Sequence, residues 1–328
     1  MATCRICGNA RGNHRFTARE MMFGTREPFD YFECARCGCV QIARYPRDIK
    51  RHYPAQYYSY RELIDPPQPM LRRWLRRQRL ENILGRHNII GALYQLKAGR
   101  PTYYHWFQTA GVRPGYAIAD VGCGNGQLLV ELHREGFGPL VGLEPYLPRD
   151  IQYAPELTIY RELPGDLAAE AFDLVMLHHS LEHMPGQREQ LRQLYHLLRP
   201  DRYLLVRVPV CNHAWKTYGV NWVQLDAPRH FYLHTERSLT LLAEQAGFAV
   251  GKIEYDSNAM QFWGSEQYRR GIPLQGPTSY PVNPAAAPFT AAQIAQYRLD
   301  ADRLNREGRG DQACFYLFKR EGGDDGGN

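Results

Sequence analysis

The stretch Ala117-Ile118-Ala119-Asp120-Val121-Gly122-Cys123-Gly124-Asn125-Gly126 decides the fold of this chain. It reads as a buried strand that stops in a glycine-rich turn, and a helix, Gln127 to Arg134, opens directly after it. Glycines at 122, 124 and 126 let backbone N–H groups approach a ligand where a Cβ would collide. A second apolar strand, Leu140-Val141-Gly142-Leu143, ends in Glu144. An acid at the tip of the second strand of a doubly wound sheet can accept hydrogen bonds from both hydroxyls of a ribose. The pattern predicts a site for an adenosine-containing cofactor. The plainer alternative is a tight turn in an ordinary α/β domain.

Dinucleotide sites ask for G-x-G-x-x-G, and here the sixth position is Gln127. The sequence instead has G-x-G-x-G with Asp120 just before it, which resembles motif I of the class I S-adenosylmethionine (SAM) methyltransferases. Further strands are read at 171–177, 203–208, 253–255 and 313–318, with helices at 189–198 and from Thr235 to Gly247. Thr235 is the expected N-cap of that helix, with Ser238 in the place of the usual glutamate. Alternation of strand and helix implies a parallel sheet. The fourth strand runs into Leu181-Glu182-His183, as in a large group within that family. The resemblance implies an α/β, Rossmann-like, seven-stranded methyltransferase domain. SAM would lie across its strand tips, held by Asp120, Gly122, Cys123, Gly124, Gly126, Glu144, Pro145 and His178. The loop Arg161-Glu162-Leu163 matches the family poorly, so the adenine contacts are left open.

At 328 residues the chain can hold one large domain and a small one. Its 44% hydrophobic content fits a globular protein, and it has no run of apolar residues long enough to span a bilayer. No apolar secretory segment follows Met1, so a cytoplasmic location is expected. A formal charge of +6 is too small to argue for nucleic acid by itself.

Cys4-x2-Cys7-Gly8 and Cys34-x2-Cys37-Gly38 are two knuckles that can bring four thiolates into a tetrahedron. Structural Zn²⁺ on Cys4, Cys7, Cys34 and Cys37 is the expectation, against free thiols or a redox pair. Phe29 to Glu33 reads as a strand feeding the second knuckle. Cys39 is spare, and Cys123, Cys211 and Cys314 are expected to be buried thiols. The expected division is a small zinc-ribbon module at 1–60, a helical linker at 61–110, the methyltransferase domain at 111–320 and a disordered tail at 321–328. An insertion at about 264–310 carries a helix near Ala291 to Arg306.

The linker turns at Asp65-Pro66-Pro67-Gln68-Pro69 and then starts a helix with Leu71, Trp74 and Leu75 on one face and arginines from Arg72 to Arg79 on the rest. The favoured reading packs the apolar stripe on the core and leaves the arginines solvated. The competing one is a peripheral surface for membrane or phosphate.

A four-cysteine module joined to this fold resembles deoxysugar C-methyltransferases and related enzymes of polysaccharide assembly. Gln56-Tyr57-Tyr58-Ser59-Tyr60 and Leu225-Asp226-Ala227-Pro228-Arg229-His230-Phe231 carry that likeness. In the sugar C-methyltransferases a Tyr-x-Glu-His element supplies a histidine base. Here His230 is kept, while Arg229 replaces the glutamate and Ala227 the tyrosine. Loss of that acid favours O-methylation of a sugar, nucleotide-linked or in a glycan.

Methyl transfer from a sulfonium needs alignment and removal of the acceptor's proton, and a neutral imidazole suits the second task. The candidates are His178, His179, His183, His213, His230 and His234, with His230 first and His183 second. His179, Glu182 and His183 also have spacing that can hold a divalent ion on one turn. A sugar C-methyltransferase and an RNA methyltransferase are the competing functions. The partner expected is a small-molecule or glycan acceptor, with nucleic acid disfavoured and a homodimer left open.

Overall fold

The computed structural model describes residues 2–53, 63, 68–99, 101 and 103–320. The Gln56–Tyr60 phrase, the Asp65–Pro67 turn and the 321–328 tail lie outside the described residues.

Three short strands follow the first knuckle: β1 (His14–Arg19), β2 (Pro28–Glu33) and β3 (Val40–Ile42). They pair antiparallel in sequence order. Next come α1 (Met70–Ile83), α2 (Ile89–Ala98) and α3 (Tyr103–Thr109). The quoted stretch forms β4 (Ile118–Val121), its turn, and α4 (Gln127–Glu135). Then follow β5 (Leu140–Leu143), β6 (Ile151–Ala154), β7 (Leu157–Tyr160), β8 (Phe172–His178), α5 (Gln187–Leu197) and β9 (Leu198–Pro209). The chain continues with α6 (His213–Tyr218), β10 (Tyr232–Leu233), α7 (Glu236–Gln245), β11 (Ala249–Tyr255), α8 (Met260–Arg269), α9 (Ala291–Arg306) and β12 (Gln312–Lys319).

The large sheet has eight strands in the order β11-β12-β9-β8-β4-β5-β7-β6. It is mixed rather than parallel throughout: β12 runs antiparallel to both β9 and β11. The strand beyond the expected seven is β6, which pairs antiparallel with β7 at one edge. Its two-residue connection to β7 was invisible to a reading that sought strand–helix alternation. Strand β8 shows why the central strands look uniformly apolar. Leu174 and Met176 pack in the core with α1, α3 and α4, while Val175 and Leu177 pack in the core with α5 and α7.

The cap of α7 is as read: Thr235 Oγ1 accepts from Ser238 N at 3.1 Å and Ser238 Oγ accepts from Thr235 N at 2.9 Å. Helix α9 matches the expected span, but α8 was missed because Gly264 interrupts its pattern. A Cβ on Gly264 would stand 2.7 Å from Val223 Cγ2, so the glycine lets the helix lie against the turn at Val223–Leu225.

The stripe on α1 does not pack as expected. Leu71 and Trp74 are 67% and 45% exposed, and the helix contacts the core through Leu80 and Ile83 instead. Arg79, expected in solvent, is buried and pairs with Glu135 at 2.7 Å, with Arg76 at 3.3 Å from the same oxygen. Among the described residues no helix is long and apolar enough to cross a membrane.

Candidate functional site

Strands β4, β5 and β8 run parallel, so their carboxyl ends share one rim of the sheet. The turn after β4 holds Gly122 at φ +74°, and a Cβ there would stand 2.5 Å from Ser180 Cβ. Ser180 Oγ donates to Val121 O at 2.8 Å and fixes the loop after β8 against this turn. Glu144, at the tip of β5, accepts from Gly124 N and Tyr146 N, both at 3.1 Å. A carboxylate has about four acceptor sites, so these bonds leave capacity for ribose hydroxyls. A cavity of about 630 Å³ opens at this rim, which suits a nucleoside-sized ligand and part of an acceptor.

Gly122, Cys123, Gly124, Glu144, Pro145 and His178 line that cavity, as expected of cofactor residues. Asp120 and Gly126 do not. Gly126, at φ +78°, opens α4 and would meet Ile159 with any side chain. Asp120 is 4% exposed, and its Oδ1 has no hydrogen-bond partner. Burial, and then the charge of Glu144, push its carboxyl up to about 7. The glycine cradle and the buried Asp120, with its unpartnered Oδ1, therefore fit SAM, whose amino-acid part brings an ammonium. His178 lies 4.7 Å from the Trp106 ring, and neither of its ring nitrogens has a partner. Burial and the neighbouring Arg207 hold it neutral.

His183 and His230 face each other in the cavity wall, ring centroids 4.7 Å apart. His183 Nδ1 lies 2.9 Å from Arg229 O, and His230 Nδ1 lies 2.7 Å from Gln224 O. A carbonyl only accepts, so each Nδ1 carries a proton, and in the neutral ring Nε2 is the atom with the free lone pair. Burial, with His183 beside it, holds His230 down to about 4. His179 sits at φ +51° and accepts from Arg207 at 2.7 Å, which is itself bound to Asp256 at 2.6 Å. The expected ion set of His179, Glu182 and His183 is thus not assembled. Among the described residues the set brought together is Glu182, His183 and His230, with donor atoms all within 4.8 Å of one another. His234 and His213 are not at the cavity. The first is buried between Gln187 and Ser238, and the second starts α6 beside Arg309.

The expectation that Arg229 leaves His230 without an acid is corrected by the fold. Asp226 Oδ2 is 3.9 Å and Glu182 Oε1 4.0 Å from His230 Nε2. Arg229 is fully buried and donates to Asp226 at 2.6 Å, Glu20 at 3.0 Å and the carbonyl of His52 at 3.2 Å. Two of those partners come from the first 52 residues. Strand β10, two residues after His230, pairs antiparallel with β3, so the small sheet gains its fourth strand from the segment after His230. Tyr31 Oη donates to His230 O at 2.9 Å, and Phe231 N donates to Glu182 O at 2.8 Å. Met22 and Leu274 also line the cavity, and Leu274 N donates to Met21 O at 2.9 Å. Sequence reasoning missed Asp226, though it stands only four residues before His230, and it missed Tyr31, Met22 and Leu274, whose long-range contacts leave no local signal.

The four cysteines converge as the spacing predicts. Sγ of Cys4 and Cys37 are 3.6 Å apart, those of Cys7 and Cys34 3.5 Å, and all four lie within 4.8 Å of one another. Four thiolates about 2.3 Å from one zinc ion stand roughly 3.8 Å apart, so the set fits tetrahedral zinc. Cys39, Cys211 and Cys314 are buried elsewhere, whereas Cys123 is only half-buried, in the turn.

Residues 105–253 match a family model described as a methyltransferase domain. A search of curated proteins returns no match. Several solved structures are similar in part. One is the [4+2]-cyclase SpnF, at 20% identity and TM-score 0.41, covering 66% of this chain and 78% of that one. Another is an S-adenosylmethionine-dependent methyltransferase from Mesorhizobium loti, at 16% and 0.40, covering 66% and 97%. A third is 1,6-didemethyltoxoflavin-N1-methyltransferase from Burkholderia thailandensis with bound S-adenosylhomocysteine, at 18% and 0.37, covering 58% and 85%. The matched span, residues 105–253, is thus a methyltransferase domain by its family model, and it contains the glycine turn, Glu144 and the histidine pair.

Proposed function

We propose that this enzyme transfers the methyl group of SAM to a hydroxyl of a sugar, nucleotide-linked or within a glycan, and that His230 takes the hydroxyl proton. The observation that carries the reading is the imidazole pair in the wall of the cofactor cavity, each ring with Nδ1 tied to a carbonyl and Nε2 left as acceptor. SAM supplies a methyl group already activated on a sulfonium. The chain then has three tasks: to hold the cofactor with Glu144 and the glycine turn, to align the acceptor, and to accept one proton at His230 Nε2. Asp226 and Glu182 stabilise the imidazolium that forms.

A second reading, C-methylation of a keto-sugar, gains from the same two carboxylates. They supply in space the acid that position 229 lacks in sequence. Zinc on the four cysteines is proposed as structural, since four thiolates leave it no open position. The exposed apolar side chains of α1 and α2, together with Arg72, Arg73 and Arg77 exposed on α1, support a peripheral contact with an acidic lipid surface.

The test is tritiated-methyl SAM incubated with the protein and a panel of nucleotide sugars, their 4-keto derivatives and RNA. Label on a sugar oxygen supports the proposal, label on a sugar carbon selects the second reading, and label in RNA overturns both.

A further inference from the structure

We propose that Glu182, His183 and His230 form a second metal site, distinct from the four cysteines, that takes a zinc-type divalent cation from the cofactor cavity. Glu182 is fully buried, and neither of its carboxylate oxygens accepts a hydrogen bond among the described residues. A buried carboxylate left so is costly unless a cation meets it. His179 Nδ1, which carries that ring's proton because its Nε2 accepts from Arg207, comes only to 3.4 Å of Oε1 and makes no hydrogen bond to it. The two imidazoles beside Glu182 are already in the state a metal requires. The Nδ1–H of each is spent on a backbone carbonyl, which fixes the ring and leaves Nε2 as the ligand atom.

Two imidazoles and one carboxylate form a borderline donor set that suits zinc. Three protein ligands leave further positions open, and they open to the cavity because His183 and His230 line it. The neighbouring cations do not oppose the ion strongly. Arg229 is paired with Asp226 and Glu20, and Arg207 with Asp256. No thiol belongs to the set, so the site is chemically separable from the cysteine module.

The effect on rate rests on the proposed role of His230. An ion bound at both Nε2 atoms consumes the lone pair that would take the acceptor's proton, so the loaded enzyme transfers methyl slowly and chelation restores it.

The experiment uses the full chain saturated with zinc, passed through a desalting column and analysed for metal. Co²⁺ is then added to chelator-washed protein that retains its cysteine-bound zinc. The expected wild-type content is about two zinc ions per chain, and about one in Glu182→Gln and in His183→Gln. Retained S-adenosylhomocysteine binding in both variants shows that they fold. The Co²⁺ spectrum should show ligand-field bands without thiolate charge transfer. A single zinc in the wild type, or a second one retained in both variants, overturns the site. Loss of transfer on metal addition supports both the site and the imidazole base. Stimulation by metal keeps the site and overturns His230 as the proton acceptor.

Discussion

Tyr31 donates a 2.9 Å hydrogen bond to the main-chain carbonyl of His230, across 199 residues of sequence. A side chain of the small cysteine-bearing sheet thereby holds the loop that carries His230, the proposed base. Replacing Tyr31 by Phe removes the donor and leaves a buried carbonyl unpaired, which should cost roughly 1–3 kcal/mol of stability. The turnover of methyl transfer should fall by about tenfold or more, because small displacements of reacting groups are expensive. Affinity for S-adenosylhomocysteine, measured by calorimetry, should stay within about twofold of wild type, since the glycine cradle does not touch Tyr31.

Removal of the zinc proposed on the four cysteines should act through the same connection. Strand β10 pairs with β3 through Tyr232↔Gln41 and Leu233↔Val40, and β3 directly follows the second knuckle. A zinc chelator strong enough to empty the cysteines, or Cys34→Ser, should loosen the 226–234 loop. Hydrogen exchange should then rise in residues 226–234 more than in β4 and β5. Equal exchange in both regions would show that the cysteine module does not support the loop.

The cradle makes a sharper steric prediction. An alanine at Gly122 would place its Cβ 2.5 Å from Ser180 Cβ, at a φ of +74° that side chains avoid. Gly122→Ala should weaken S-adenosylhomocysteine binding by about tenfold or more, in line with a strain of at least 1–3 kcal/mol. Gly115, with open space around it and no positive φ, is the control: Gly115→Ala should leave affinity unchanged.

Cofactor binding should depend on pH through Asp120. Burial and Glu144 raise its carboxyl to about 7, so it is largely protonated below that pH and ionised above it. The ionised form attracts the ammonium of the cofactor, and affinity should therefore rise as pH climbs from 6 to about 8. Asp120→Asn should bind more weakly at pH 8 and flatten the profile. Calorimetric titration across that range checks both statements.

Folding stability carries a separate titration at Asp173, whose carboxyl is shifted down rather than up. Burial works against its charge, but the Ala117 N–H at 3.1 Å, Arg199 at 2.6 Å and Arg202 at 3.2 Å hold its carboxyl below the usual range. A lowered acid stabilises the fold above its unfolded pKa of about 3.9 and loses that contribution as pH falls through the folded value. Asp173→Asn should lower the urea midpoint at pH 7 and differ much less from wild type below pH 3.

Much of the architecture was legible in the chain. The Ala117–Gly126 stretch, the acid-tipped second strand and the capping signal at Thr235 are short-range patterns, and each produced the element it predicted. The apolar stripe of α1 misled, because periodicity tells which residues share a face but not whether another element covers it. The glutamate missing at position 229 also misled. A side chain's chemical partner is set by what lies nearby in space, and Asp226 and Glu182 stand there.

The sequence by itself determined the cofactor end of the site and the four-cysteine cluster, because both are made within one turn or from paired knuckles of fixed spacing. Tertiary structure alone decided the acceptor end. Only folding sets Glu182 beside His183 and His230, seats Arg229 on Glu20, and lays the loop after His230 along β3. The physical reason is range. Local hydrogen bonding and backbone geometry are written in neighbouring residues. The pairing of a buried charge, or of a strand edge, is settled by which distant groups the packed core brings within a few ångströms.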